Sequence, residues 1–418
     1  MLTHLLDQTD PLVSLRDNFA LPRGKIYLDG NSLGVLPCAT APRLAQVISQ
    51  EWGNDLIESW NRHGWMDLPV TLGDQLAPLI GANPGETLVC DTTSINLYKV
   101  VAVALALQAP KGKRVILTDA NNFPTDLYML ESLARIYGAS VRRVDGAAMA
   151  ASLTDEVAVL VLTQVDYRTG ALFDMPALCA AARAVGALTV WDLAHSCGAL
   201  PIDVNGAGAD FAVGCGYKYL NSGPGSPAFL WSHARWLASD APLAQQPLTG
   251  WLGHAQPFAF SGDYQPAPGI LRYLCSSPSI IALAAMECGV ASVRAAEPFG
   301  GMVAIRRKSL ALTDLFIAEV EAQIGPERLR LVTPRDHAKR GSQVSFAAGD
   351  GIDGYAVVQA LIAQGIVGDF RAPNIARFGF TPLYISYAET LNAAQALVDV
   401  VRTRGWDTPQ FRQRHAVT

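Results

Sequence analysis

The stretch "VAVLVLTQVDYRTGALFDMPALCAAARAVGALTVWDLAH", Val157 to His195, decides the fold. It reads as an apolar strand, a helix opened by Asp174, and a second apolar strand that emerges at Asp192. Strands that are apolar on both faces and separated by a helix imply a mostly parallel sheet covered on two sides. The pattern extends in both directions. Upstream, "SINLYKVVAVALALQA", with Ser94 as N-cap, predicts a helix, "RVILTD" a strand, "FPTDLYMLESLARIYG" a helix stopped at a glycine, and "SVRRVD" a short strand. Downstream, "FAVGCGYKYL" and "PAFLWSH" predict two more strands, which the tight turn between them allows to pair antiparallel.

After about residue 290 the texture changes. A long helix, "MVAIRRKSLALTDLFIAEVEAQI", precedes the short strands "SQVSFAA", "GIVGDF" and "IARFGF", with the helices "GYAVVQALIAQ" and "TLNAAQALVDVVRTR" between and after them. This predicts a smaller α+β unit. The expected organisation is therefore a large α/β domain over residues 51–290 and a small C-terminal domain over 291–418. Residues 1–50 hold too little periodic structure to fold alone and are expected to pack with the small domain.

Composition narrows the function classes. Half of the 418 residues are apolar, enough for a large core, and the formal net charge of −5 comes from interspersed charges. Such a chain has no electrostatic case for nucleic acid or an anionic membrane. No apolar stretch reaches the roughly 20 residues needed to cross a bilayer. The N-terminus carries Asp7 and Asp10 where an export signal needs an unbroken apolar stretch. Seven dispersed cysteines, without CxxC or Cys/His spacing, read as reduced thiols of a cytoplasmic protein and give no metal site.

In an open parallel sheet, ligands bind beyond the carboxyl ends of the strands. Polar clusters stand at those ends: "DTTSIN" (Asp91–Asn96), "NNFPTD" (Asn121–Asp126), "TQVDYRTG", "WDLAHS" (Trp191–Ser196) and "GCGYKYLNSGPGS" (Gly214–Ser226). Lys218 in the last is costly at a buried strand end unless its amine is neutralised, paired or used covalently. Asp192 at the neighbouring strand end needs a cation or an N–H partner. Thr93 and Ser94 open a helix, where N–H groups and hydroxyls either hold a phosphate or simply cap. A lysine for an aldehyde, an acid for a protonated ring nitrogen and a helix terminus for a phosphate meet the needs of pyridoxal 5'-phosphate. The "SGPG" turn lacks phosphate-loop spacing and reads as a close backbone approach.

In order along the chain, "YLDGNSLG" (Tyr27–Gly34), "EWGNDLIESW", "DTTSINL", "NFPTD", "WDLAHS", "GCGYKYLNSGPGS", "GWLGH" and "RFGFTPLY" resemble the kynureninases. The resemblance runs from Tyr27 to Tyr384. It implies the aspartate-aminotransferase-like fold (fold type I) of pyridoxal-phosphate enzymes and a homodimer with its site at the subunit interface. It also implies hydrolysis of the Cβ–Cγ bond of L-kynurenine, and of 3-hydroxykynurenine if the ring pocket admits it, to an anthranilate and L-alanine in tryptophan catabolism. By position it makes Lys218 the Schiff-base lysine and Asp192 the partner of the pyridine nitrogen, with His195 beside the cofactor. Phe123 would stack on the ring, with Pro124, Thr125, Asp126 and Thr163 as further contacts. Thr93, Ser94 and Tyr217 resemble phosphate positions, and Trp251 and Ser277 would reach the phosphate from the neighbouring subunit. Arg377 matches the arginine that grips the substrate α-carboxylate through a bidentate pair. Trp60 and His63, with Ser32 near them, are candidates for the aryl pocket. Tyr217 stays open between phosphate ligand and proton donor to the substrate ketone. A related cysteine desulfurase would need a loop cysteine, for which Cys275 is the candidate.

Overall fold

In the computed structural model, residues 2–238 and 246–415 are described. Seven strands form the main sheet, in the order Thr87–Val89, Ala228–Ser232, Phe211–Cys215, Leu188–Asp192, Val157–Thr163, Val115–Asp119, Ser140–Val144. Only Ala228–Ser232 runs against the others; it is antiparallel to both neighbours, as the tight turn after Phe211–Cys215 allows. The remaining pairings are parallel.

The alternation within the central strands explains why the sheet is covered on both faces. Val159 and Val161 pack on one side with Val100, Val103 and Leu130, from the helices Thr93–Gln108 and Pro124–Tyr137. Leu160, Leu162 and Trp191 point to the other side, where Leu178 and Cys179 of Met175–Ala184 and Leu283 and Met286 of Ile280–Arg294 cover them. A leucine buried at such a position contributes roughly 1.5–3 kcal/mol over exposure.

Some helix ends carry the expected capping chemistry. The Asp174 carboxylate accepts the Ala177 N–H at 3.0 Å, and Gly138 ends Pro124–Tyr137 in the left-handed conformation. One expected cap is displaced. Ser94 lies inside the helix, and the cap is Thr92, whose hydroxyl accepts the Ile95 N–H. Asp91, with a φ of 49°, turns the chain just before Thr92, so the helix is capped two residues earlier.

A four-stranded antiparallel sheet, in the order Asp369–Arg371, Ile375–Gly379, Gln343–Ala348, Leu329–Leu331, packs beneath the helices Gly301–Gln323 and Tyr387–Arg402. "GIVGDF", expected as one strand, is two. Ile366–Val367 pairs in parallel with Ile26–Tyr27, and after Gly368 the chain joins the antiparallel sheet. A side chain at Gly368 would meet the Phe378 ring, so the change of partner occurs where backbone must pass close to a core phenylalanine. The N-terminal segment is tied to the same region: Asp7 accepts the Tyr387 and Ala388 N–H groups at the start of Tyr387–Arg402, and Arg16 pairs with Glu389. Among the described residues no helix is long and apolar enough to cross a membrane, and no group of three His, Cys, Asp or Glu side chains is placed to hold a metal ion.

Candidate active site

The strand expected to run through "FAVGCGYKYL" ends at Cys215. Beyond it the backbone folds into turns: the Asn221 N–H donates to Lys218 O, and the Ser222 N–H to Gly216 O. Gly34 of "YLDGNSLG" lies against this segment, its N–H 2.7 Å from Tyr217 O. A Cβ at Gly34 would stand 2.4 Å from Lys218 O, so only glycine permits the approach. The N-terminal motif and the lysine segment are thus one piece of structure.

At the carboxyl ends of the strands, Lys218 Nζ is 2.8 Å from His195 Nε2. Around them stand Asp192 and Asp126, which are 5% and 2% exposed. Asp192 ends its strand opposite Thr163, and its carboxylate accepts the Ala194 N–H at 2.8 Å. The Thr163 hydroxyl donates to Val165 O. Asp126 sits in the first turn of Pro124–Tyr137, where the dipole favours a negative charge. Phe123, Pro124 and Thr125 form the start of that helix, and the Phe123 ring, 39% exposed, lies with its centroid 5.8 Å from Lys218 Nζ. The Tyr217 ring is 5.9 Å from the same amine on another side.

Burial dominates the electrostatics. It pulls the Lys218 amine below its ordinary value, against the opposing pull of Cys215 and Asp192. It raises Asp192, which Lys218 draws back, and it raises Asp126 strongly, with the Asp192 charge adding to the effect. It holds His195 well below the usual imidazole range, and Lys218 adds to that. Tyr217 is raised by burial and by Cys215 and Asp192, so its phenol keeps its proton.

The donor set fits pyridoxal 5'-phosphate. Among the described residues Asp126 Oδ2 and His195 Nδ1 are buried without a hydrogen-bond partner, although buried polar atoms are ordinarily paired. An amine shifted toward its neutral form, two enclosed carboxyls and an exposed aromatic face stand around them. The helix starting at Thr93 offers its free N–H groups from the edge of the sheet.

A second cluster is joined to this one through Tyr167, whose ring meets Phe123 edge-on at 5.1 Å and whose carbonyl accepts from Arg377 Nη1. Arg377, 1% exposed, does make a bidentate pair, but with Asp369 of this chain: Nε donates to Oδ1 at 2.7 Å and Nη2 to Oδ2. The Ser32 hydroxyl bonds to Asp369 Oδ2 at 2.8 Å and accepts from Arg377 and Arg371. Burial pushes Asp369 up, but Arg377, by charge and hydrogen bonds, and Arg371 reverse this and hold it below the usual range. Burial and the Asp369 charge raise Asp29, beside them, to about 7. Sequence reasoning missed Asp369, Arg371, Asp29 and Tyr167. Asp369 had a readable signal: a hairpin centred on Pro373 places it directly opposite Arg377, and that is the observed register.

The other expected residues stand apart within one chain. Trp60 packs edge-on against Trp65 in a small satellite core with Val47 and Ala284, and His63 pairs with Asp55 at 2.7 Å. Trp251 is 38% exposed and meets Phe258 edge-on. Ser277 and Cys275 line a cavity of about 260 Å³ with Asp91, Thr92 and Gly225.

Comparison with known proteins places the chain. Residues 305–397 match the family model of the kynureninase C-terminal domain. A kynureninase from Pseudomonas fluorescens is 51% identical over 418 residues, covering 99% of this chain and 98% of the relative. One from Burkholderia pseudomallei (strain K96243) is 51% identical with the same coverage of both chains. Among solved structures, the apo cysteine desulfurase from Thermococcus onnurineus NA1 superposes with a TM-score of 0.76 at 20% identity, over 93% of this chain and 98% of that one. A mutant of C-DES with glycine linked to its pyridoxal-phosphate cofactor gives 0.74 at 18% identity, over 92% and 99%. The desulfurase likeness shows the fold, the type I fold of pyridoxal-phosphate enzymes, whereas identity at this level along nearly the whole length shows the family: the chain belongs to the kynureninases.

Proposed function

We propose that this chain hydrolyses the Cβ–Cγ bond of L-kynurenine to anthranilate and L-alanine, with Lys218 as the lysine that carries pyridoxal 5'-phosphate. The observation that carries the residue assignment is the Lys218 amine, 2.8 Å from His195 Nε2 and shifted toward neutrality by burial, set among Asp192, Asp126 and His195 with unpaired buried polar atoms around it. When bound, the cofactor supplies an aldehyde for the substrate amine and a ring that draws electron density from the amino-acid carbons. Lys218, once released, takes the proton from Cα, a role that needs a lowered amine pKa. His195 Nε2, at hydrogen-bond distance and neutral at working pH, orients that amine. Asp192 keeps a ring N–H in place, Asp126 and Thr163 line the same edge, and Phe123 offers its exposed face for stacking. Thr93 and Ser94, in the first turn of their helix, receive the phosphate. Tyr217 keeps a donor O–H for the phosphate or the substrate ketone.

Arg377, with Ser32, receives the α-carboxylate. Residues 51–290 act as the cofactor-holding unit and 291–418 as the smaller unit that brings Arg377; of residues 1–50, Leu2–Thr9 and Arg16 pack on the smaller unit, whereas Gly34 and Thr40–Gln46 lie against the larger one. The working form is a homodimer in which Trp251 and Ser277 reach the neighbouring subunit's phosphate and Trp60 and His63 serve the aryl pocket. Exposed Trp251, Phe258 and Phe260, in edge-on contact with one another, support a subunit contact there. Seven free thiols accord with a cytoplasmic protein. Purified protein given L-kynurenine is expected to release anthranilate, read by its fluorescence, and absence of anthranilate overturns the reading. Light scattering on the eluted protein tests the dimer.

A further inference from the structure

We propose that Asp369 is a positioning residue: it locks the Nε/Nη2 edge of Arg377, so that a substrate α-carboxylate is received at the Nη1 end together with Arg371. The inference rests on the reading that Arg377 serves the carboxylate.

The register comes first. Asp369 and Arg377 are directly opposite on paired strands, and each is 1% exposed. A guanidinium has five N–H donors in a rigid plane. Among the described residues four are engaged: Nε and one Nη2 hydrogen by Asp369, the other Nη2 hydrogen by Ser32 at 2.9 Å, and one Nη1 hydrogen by the Tyr167 carbonyl. The plane is held on three sides, and one Nη1 donor remains. The edge that gives the strongest bidentate grip is already taken by a carboxylate of the protein itself.

Arg371 completes the arrangement. It bonds the same Asp369 oxygen at 2.7 Å and the same Ser32 hydroxyl at 3.2 Å, yet its Nε has no partner and its side chain is 35% exposed. Two guanidinium groups share one ionised carboxylate, which leaves about one unit of positive charge for an incoming anion. Asp29 beside them is raised to about 7, so below about pH 6 it is largely protonated and leaves that charge uncancelled, and at neutral pH it cancels only part of it. Ser32 bridges all three groups and fixes their spacing.

The test uses the holoenzyme and two probes that differ only in the carboxylate: L-alanine and ethylamine, each titrated by the visible absorbance of the cofactor. In Asp369→Asn, affinity for L-alanine is expected to fall by about tenfold, because a guanidinium no longer held in its plane loses the receiving geometry, a loss that outweighs the charge gained. KM for L-kynurenine should rise in parallel, while ethylamine affinity stays within about twofold, because the amine does not visit the arginines. Asp369→Glu, which keeps the charge but moves it, should lose less and lose it with the same selectivity, and it carries the test if the Asn variant does not fold. If Asp369→Asn binds L-alanine as tightly as the parent or more tightly, Asp369 is only a competing anion and the proposal fails. Equal weakening of both probes also overturns it, as that is structural damage. Arg377→Lys separates the two layers. Selective loss of L-alanine there, without it in Asp369→Asn, sinks only the positioning role; equal loss of both probes in Arg377→Lys sinks the underlying reading.

Discussion

Two lysines have their amines enclosed against the same sheet, and they are treated oppositely. Lys99, in the helix Thr93–Gln108, is 0% exposed and held by two bonds, one of them to a carboxylate: its Nζ donates to Asp91 Oδ2 and the Tyr273 carbonyl, at 2.5 and 2.6 Å. Burial works against its charge, but Cys90 and Asp91 win, and it is held above its ordinary value. Lys218 has an imidazole nitrogen as its close partner and, among the described residues, no carboxylate within bonding distance, and burial wins. A lysine paired with a carboxylate is a cross-link, and one left without that partner is available for chemistry. The same sequence-level fact, a lysine in apolar surroundings, therefore has two outcomes that only the partners distinguish.

Exchange of either lysine tests that contrast. Lys218→Ala should abolish the cofactor band at about 420 nm and lower turnover by roughly 10⁴-fold or more, the scale of a lost positioned base together with its covalent role. Lys99→Met should keep the band and lose stability instead. Removing one partner of a fully buried pair costs about 3–5 kcal/mol, and because Asp91 is 31% exposed and water reaches it, about 3 kcal/mol is expected here. Thermal melting and an absorbance spectrum of each variant decide this; a band that survives in Lys218→Ala and vanishes in Lys99→Met would invert the comparison.

How much of this was readable follows from period and partner. The central strands and their helices were legible because Val157–Thr163 and Leu188–Asp192 are apolar at every position and Asp174 is a cap with one physical use. Lys218 and Asp192 were legible because strand ends in a parallel sheet are where polar side chains converge. The Asp369–Arg377 pair was legible only in part: a hairpin centred on Pro373 sets the two opposite each other, but "GIVGDF" shows no break until Gly368 is seen to pass the Phe378 ring. Trp60 and His63 carried no signal of which surface they serve, since an aromatic at helical spacing packs equally well in a satellite core. Thr92 displaced Ser94 as the cap because of a backbone angle at Asp91 that composition does not announce.

A smaller effect is expected at Asp192. A charge-assisted hydrogen bond is worth about 1.5–3 kcal/mol, so Asp192→Asn should weaken cofactor binding by roughly 10- to 100-fold while leaving the absorbance band intact at saturation. Titration of the apo form with pyridoxal 5'-phosphate measures it. Unchanged affinity would mean that Asp126, enclosed on the same side of Lys218, holds the ring nitrogen instead.

The Arg377 cluster supplies an effect read in stability, and its sign is fixed by linkage. Asp29 is raised from 3.8 to about 7, chiefly by burial and then by the Asp369 charge. Between about pH 4 and pH 7 the folded chain therefore holds a proton that the unfolded chain has released. Stability from this group is fully present below pH 4, is lost as pH rises through 7, and changes no further above it. Asp29→Asn is neutral in both states and escapes that loss. Relative to the parent, its melting temperature should climb between pH 4 and 7 and level off by pH 8, with a gain bounded at about 4 kcal/mol from this range. A constant offset between the two melting curves across that range would show that Asp29 is ionised throughout, and the charge left over on Arg371 and Arg377 would then be cancelled before any substrate arrives.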